Sequence, residues 1–506
     1  MSDCIPSDGV PFVLPLTDAP SPHEALRRLA ALSHPLLLES ACRHPQRGRY
    51  SFLAVDPFDF QTVRRPRPDI LDAVGQRAAG WATPAVEGLP PFQGGMAGLL
   101  GYELGGSFEQ LPRPRFDEFQ LPVLAVGWYD LVVAWDHLAG SAWIVSQGLP
   151  ETDRNARRQR AQRRGQWLAR LLDGGYSAEG VAPSRAVAAN AGAAARGPSV
   201  VPRANGHRPL PSVPGLTSNF SRESYLAAAG RAIEYVAAGD VFQVNLAQRL
   251  LLPAGCPSID LYESLRRVNP APMAGYFDLG QFQVISASPE RFVQLRDGLV
   301  ETRPIKGTRP RTGRPAVDEP IADELRACAK DRAENVMIVD LMRNDLTRVC
   351  QPASVRVSQV CEVEQCQYVM HLVSAVEGRL REGRTGVDLL RAAFPGGSVT
   401  GAPKIRAMEI IAELEQVARG AYCGSLGYLG LDGSMDLSIL IRTITAGGGW
   451  WQFPVGGGVV ADSDPLKEYQ ETWHKAEGLL RAIADAKMEV ATESAEERSE
   501  ARQSVR

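Results

Sequence analysis

No excess of charge of either sign runs through this chain. Its 55 lysines and arginines face 58 aspartates and glutamates in 506 residues, a formal net charge of −3. That balance excludes a strongly basic nucleic-acid binder. No run of 18 uncharged apolar residues occurs, which argues against a membrane-spanning helix. Apolar residues still make up 44% of the chain, too many for an acidic disordered protein. The eight cysteines form no Cys-x-x-Cys pair, so zinc-ribbon and thioredoxin chemistry are not indicated. The seven histidines include no His-Glu-x-x-His, the common zinc hydrolase signature. The start, MSDCIPSDGVPFVLPLTDAP, has no basic segment followed by an apolar one. The expectation is a cytoplasmic protein with reduced thiols.

What is present has room for two or three domains, or one large composite unit. Residues 1–180 read as a folded region. Stretches 50–55 and 121–135 are rich in β-branched and aromatic residues, as strands are, while 22–32 and 155–172 read as helices. Residues 181–216, dominated by alanine, proline, glycine and serine, read as a linker. Residues 217–486 form a second dense region. In it Ser221 caps a helix reaching 238, 282–286 reads as a strand, and 322–346 reads as a helix. Residues 487–506 are charged, poor in apolar residues and expected to fray. Strands and helices without regular alternation favour an α+β fold.

Several groups have chemical potential, and each also has an ordinary structural reading. FPGGSVTGAPK lacks the Gly-Lys-Ser/Thr of a nucleotide phosphate loop, but its backbone amides suit an anion. GGMAGLLG and the tract Gly456, Gly457, Gly458 read equally as tight turns. Asp464 and Pro465 start a helix that puts Glu468 and Glu471 on one face. Together those carboxylates would chelate a hard cation; alone they are a solvated face, with Glu471 paired to Lys475. Glu334 reads as a cation ligand or as a surface partner of Lys330 or Arg332. Lys306, between Pro304 and Gly307, is a desolvated nucleophile or an exposed lysine. Glu290 and His371 are general acids or bases, or hydrogen-bonded residues at the edge of the core.

In order along the chain, GDVFQVNLAQR, SASPERF, TRPIKGTRPR, KDRAENVMIVDLMRNDLTRVC, FPGGSVTGAPK, GSLGYLG and GGGVVADSDPLKEYQET resemble the motifs of the chorismate-utilising enzymes. This family contains the anthranilate, aminodeoxychorismate, isochorismate and salicylate synthases. LLLES, RYSFLAVDPF and PFQGGMAGLLGYELG resemble the amino-terminal part of the members linked to an amidotransferase. The resemblance implies two antiparallel β-sheets packed as a sandwich flanked by helices, with the two regions interleaved. It implies Mg²⁺ held by Glu334, Glu468 and Glu471, with the metal on the ring carboxylate of chorismate. It also implies substrate contacts from Gln243, Thr400, Tyr422, Arg442 and the amides of Gly456, Gly457 and Gly458. His371 would stand near the reacting ring, and Glu290 would handle the C4 hydroxyl as it leaves.

Two positions separate the members. The water-activating lysine of the isochorismate and salicylate synthases corresponds to Gln243. PIKGT, with Lys306, resembles the aminodeoxychorismate synthases, whereas anthranilate synthases have alanine there. The resemblance thus implies an amine nucleophile and nitrogen delivered to C4, toward p-aminobenzoate and folate; the alternative is anthranilate formation. It implies a separate glutamine amidotransferase subunit supplying ammonia, because no glutaminase nucleophile motif is present and Cys423 reads as packing. Glu39 and Ser40, with Pro272 and Met273 opposite, resemble a tryptophan pocket.

Overall fold

The structure, a computed structural model, describes residues 10–42, 48–174, 207–210, 213–365 and 369–504. Most of the expected linker therefore lies outside the described residues. Among those described, two antiparallel sheets dominate, one of thirteen strands and one of ten. The apolar run at 121–135, expected as one strand, is two strands in different sheets. Leu124–Tyr129 belongs to the ten-stranded sheet and Leu131–Asp136 to the thirteen-stranded one. The chain crosses between them at Asp130, a buried carboxylate held by Arg164 at 3.1 Å. Both strands are buried throughout, so no polar alternation marks the crossing.

The sheets pack face to face. Phe52 of Tyr50–Ala54 meets Tyr428 of Ser425–Gly430, with ring centroids 5.8 Å apart. Ala97, Leu99, Val132 and Val284 fill the same layer. Leu26, Leu168, Leu265 and Leu479, from four helices, cover the outer face of the larger sheet. Ile70, Val339 and Leu390, from three others, cover the smaller one. The expected α+β sandwich flanked by helices is what forms. Neither region completes a sheet alone. Leu36–Glu39 pairs with Met273–Asp278, and Gly95–Leu100 pairs with Ser425–Gly430.

The helix expected over 322–346 is two helices, Pro315–Ala327 and Ala329–Thr347. Cys328 between them is extended, and the two apolar stripes dock on different clusters. Leu325 packs with Met370 and Leu372, whereas Ile338 and Met342 join the larger core under the smaller sheet. The last helix, Pro465–Ser504, begins as expected: Asp464 Oδ1 accepts the Lys467 amide at 2.9 Å. Its helical backbone runs into the charged tail as far as Ser504. Alanine, glutamate and arginine there are good helix formers. No described helix is long and apolar enough to cross a membrane.

Candidate active site

Strand Gln243–Pro253 pairs along its length with Trp450–Val459. Gly456, Gly457 and Gly458, read above as a turn, lie inside that second strand. Their glycine identity provides room. A Cβ on Gly456 would stand 2.6 Å from the Ala247 Cβ, and one on Gly458 would stand 2.7 Å from the Gln243 amide nitrogen. A Cβ on Gly457 would lie 3.1 Å from Glu471 Oε1, 3.3 Å from Glu468 Oε2 and 3.4 Å from Lys475 Nζ. The bare strand therefore runs directly against the carboxylates of the last helix.

Glu468 is buried and accepts the Ser463 hydroxyl at 2.7 Å. Burial lifts its pKa above the ordinary value. Glu334 comes from Ala329–Thr347, and burial lifts it too. Lys330 Nζ stands 3.9 Å from Glu334 and 4.0 Å from Glu468, so one cation reaches both. Lys475 Nζ pairs with Glu471 at 2.6 Å and donates to the Gly456 carbonyl at 2.8 Å. Burial raises the Glu471 carboxyl, but Lys475, Lys330 and Lys306 together outweigh it and leave it below the ordinary value. The ion pairs expected of Glu334 with Lys330 and of Glu471 with Lys475 are present, and Glu468 is buried beside them. Among the described residues no group of three or more His, Cys, Asp or Glu side chains is arranged to hold a metal ion; Lys330 lies between Glu334 and Glu468, and Lys475 is paired with Glu471.

Lys306 lies on Ile305–Pro310, paired with Val369–Arg379. The register shifts between Lys306 and Thr308, where Gly307 takes φ +65°. A side chain at 307 would also meet Asp331 and Leu325 at 2.9 Å, so glycine is required beside the lysine. Lys306 is partly buried and donates to the Ser398 carbonyl at 3.4 Å. Loss of hydration holds its pKa below the ordinary lysine value, with Glu334 and Glu290 opposing. Glu290 is 4% exposed, and its Oε1 has no hydrogen-bond partner. Burial pushes this carboxyl up to about 7, against Ser398 and Lys306 beside it. A carboxylic acid and a softened amine are thus neighbours. His371 is buried on the adjoining strand, opposite Thr308, with Nδ1 3.0 Å from the Thr308 hydroxyl.

Tyr422 is buried, and burial raises its phenol far above the ordinary value. Arg442 has φ +52° and donates to the Lys475 carbonyl at 2.7 Å. Burial lowers its pKa, with Tyr422 and Glu471 opposing. The Thr400 hydroxyl is turned to backbone, donating to the Gly396 carbonyl at 3.1 Å. Its carbonyl accepts the Asn245 amide at 2.9 Å. Gln243 is fully buried, and neither atom of its amide group has a partner. The Asn245 side chain lies against the Tyr422 phenol, and the Ser398 hydroxyl lies against the Glu290 carboxyl. A buried polar group left unmet costs about 1–3 kcal/mol, so the unpartnered Gln243 amide group and Glu290 Oε1 point to a ligand. A guanidinium, an acid and an amine are gathered around these groups.

The sequence matches the model of the chorismate binding enzymes over residues 46–481. The chain belongs to the chorismate-binding enzyme family. It is 42% identical over 403 residues to anthranilate synthase component 1 of Thermus thermophilus, covering 78% of each chain. It is also 42% identical over 393 residues to aminodeoxychorismate synthase component 1 of Klebsiella aerogenes, again covering 78% of each. The solved structure of anthranilate synthase component I from Streptococcus pneumoniae superposes with a TM-score of 0.67 at 30% identity, over 86% of this chain and 93% of that one. This is a chorismate-utilising enzyme, equally similar to relatives of two specificities.

The residues that resemble a tryptophan pocket lie together. Glu39, Ser40, Pro272 and Met273 line one cavity of about 240 Å³. Glu39 is buried, taking the Tyr262 hydroxyl at 2.6 Å and a forked contact from Arg266 at 2.7 and 2.9 Å. The Ser40 hydroxyl donates to the Tyr50 carbonyl at 2.8 Å. Cys423 is buried, its thiol pushed up to about 12 by burial, as expected of packing. GGMAGLLG holds the fully buried strand Gly95–Leu100 rather than a loop. The sequence reading missed Ser398 and gave Lys475 only its pairing with Glu471. The signals were there: Ser398 lies in FPGGSVTGAPK, and Lys475 follows Glu471 at i+4.

Proposed function

We propose that this family member is component I of an aminodeoxychorismate synthase. It would convert chorismate and ammonia to 4-amino-4-deoxychorismate. The observation that carries this reading is Lys306, an amine held below the ordinary lysine value by burial and placed beside Glu290, whose carboxyl is pushed up to about 7. The neutral amine attacks C2, both conjugated ring double bonds shift, and the C4 hydroxyl leaves as water on taking the Glu290 proton. Ammonia then adds at C4, both double bonds return, the amine departs from C2, and the Glu290 carboxylate takes back the proton that the new C4 amine sheds. Nitrogen ends at C4 and the enolpyruvyl group is retained. Tyr422, Arg442 and the strand amides at Gly456, Gly457 and Gly458 hold the substrate's anionic groups. Gln243 has no basic group to activate water.

The donor set fits a hard divalent cation, three carboxylates from two helices, provided Lys330 and Lys475 swing aside. A bound Mg²⁺ would supply charge neutralisation and orientation for the ring carboxylate. Glu334→Gln should weaken Mg²⁺ binding about tenfold or more by calorimetry. An unchanged isotherm would remove Glu334 from the ligand set. The relatives' designation as component 1 supports a separate partner subunit, here proposed to be a glutamine amidotransferase delivering ammonia, with the cytoplasm as the proposed location. The cavity at Glu39 and Met273 is assigned to tryptophan. Titration with L-tryptophan should give saturable heat that Met273→Trp, which fills the cavity, abolishes; absence of heat in the parent protein rejects the assignment.

A second reading is anthranilate synthase component I, favoured by the equal identity to the Thermus thermophilus relative. Protein incubated with chorismate, Mg²⁺ and ammonium decides between them. Aminodeoxychorismate, identified by mass and by conversion to p-aminobenzoate with an added lyase, supports the C4 route. Fluorescent anthranilate rejects it.

A further inference from the structure

None of the chemistry above uses Arg419, yet it is the most heavily engaged side chain near Tyr422. It is 2% exposed. Its Nε donates to Glu415 Oε2 at 3.0 Å, and one terminal nitrogen donates to Glu415 Oε1 and to the Asn245 carbonyl, both at 2.6 Å. The other terminal nitrogen donates to the Val399 carbonyl at 3.0 Å. The guanidinium carbon lies 4.7 Å from the Tyr102 ring centroid and 5.5 Å from that of Tyr422. Two carboxylates hold this unit in place. Glu415 Oε1 also accepts the Ala247 amide at 2.8 Å. Glu103, from the N-terminal region, accepts the Arg419 and Gly420 amides at 2.7 and 3.0 Å, one on each oxygen.

The backbone atoms that Arg419 grips belong to the substrate-facing segments. Asn245 is two residues from Gln243, Val399 precedes Thr400, and Tyr422 ends the Arg419 turn. We propose that Arg419 is a positioning residue for chorismate, setting the Tyr422 phenol, the Thr400 turn and the Gln243 strand in one register. The Glu103 clamp makes the N-terminal region part of that device. The bonding needs a planar fork with two ring faces. A lysine ammonium offers charge without that geometry. This inference rests on chorismate lying against Tyr422 and Thr400, and not on which carbon receives nitrogen.

The test is steady-state kinetics followed by chorismate consumption, whichever product forms, together with thermal unfolding of each variant. Arg419→Lys keeps the charge opposite Glu415 and should fold, with KM for chorismate raised about tenfold or more and kcat changed far less. Arg419→Ala should show the same split, and millimolar guanidinium should lower its KM again. Glu103→Gln keeps size but loses one acceptor, and should raise KM severalfold. Wild-type KM in Arg419→Lys with only a lower melting temperature would make the residue structural and overturn the proposal. So would wild-type KM in Glu103→Gln, even if both Arg419 variants failed to fold. Failure of the C4 reading would appear instead in the identity of the product.

Discussion

Lys306→Ala should abolish formation of aminodeoxychorismate, by on the order of a thousandfold or more, while leaving chorismate binding nearly intact. The amine is proposed to form the first bond to C2, so its loss removes a step rather than a contact. Arg442, Tyr422 and the strand amides that hold the anion remain. Glu290 also remains, and it loses an opposing charge, so burial should push it further toward the acid form. Any residual nitrogen transfer from free ammonium should then go to C2, and anthranilate should appear as the minor product. Lys306→Arg fills the same space with a group that stays charged, and should form neither product. Intact-mass analysis of wild-type protein quenched during turnover without ammonia should show a chorismate-derived adduct on Lys306. An alanine variant with unchanged rate and product would sink the nucleophile role, leaving Lys306 as a charge that positions the ring.

The sequence named candidate residues without showing how they meet. Glu334 and the Glu468–Glu471 pair lie on two helices remote in sequence, and one lysine, Lys330, reaches both. No local period could show that; only the ordered set of long motifs did. Where local pattern was the sole guide, it failed at boundaries. The crossing at Asp130 and the break at Cys328 carry neither glycine nor proline, so nothing punctuates the chain where it changes partner. Gly456, Gly457 and Gly458 looked like a turn because glycine is the commonest turn residue. They are in a strand because the carboxylates of the last helix and the Gln243 amide press on it. Arg419 was invisible for a related reason. Its partners come from residues 103, 245, 399 and 415, and its role exists only after both sheets have formed.

Glu290→Gln should do two opposite things at once. As the proposed acid, Glu290 donates the proton on which the C4 hydroxyl leaves. An amide cannot donate in that way, and turnover should fall roughly a hundred- to ten-thousandfold. The same change should stabilise the fold, and only at higher pH. Burial raises the carboxyl from its ordinary 4.5 to about 7. Below 4.5 the folded and unfolded chains both hold the proton, and the group costs nothing. Between 4.5 and about 7 the unfolded chain releases it while the folded chain keeps it, so stability declines across that window. Above about 7 the buried charge costs about 3 kcal/mol in full. Glutamine carries no charge at any pH and escapes this cost. Its advantage in melting temperature over wild type should therefore grow between about pH 5 and about pH 8, then level off. A pH-independent difference would mean that Glu290 is not held as a buried acid, whatever the loss in rate. Growth of the advantage with undiminished turnover would mean that it is such an acid but does not protonate the leaving oxygen. Only both effects together join the burial of Glu290 to the departure of the C4 hydroxyl.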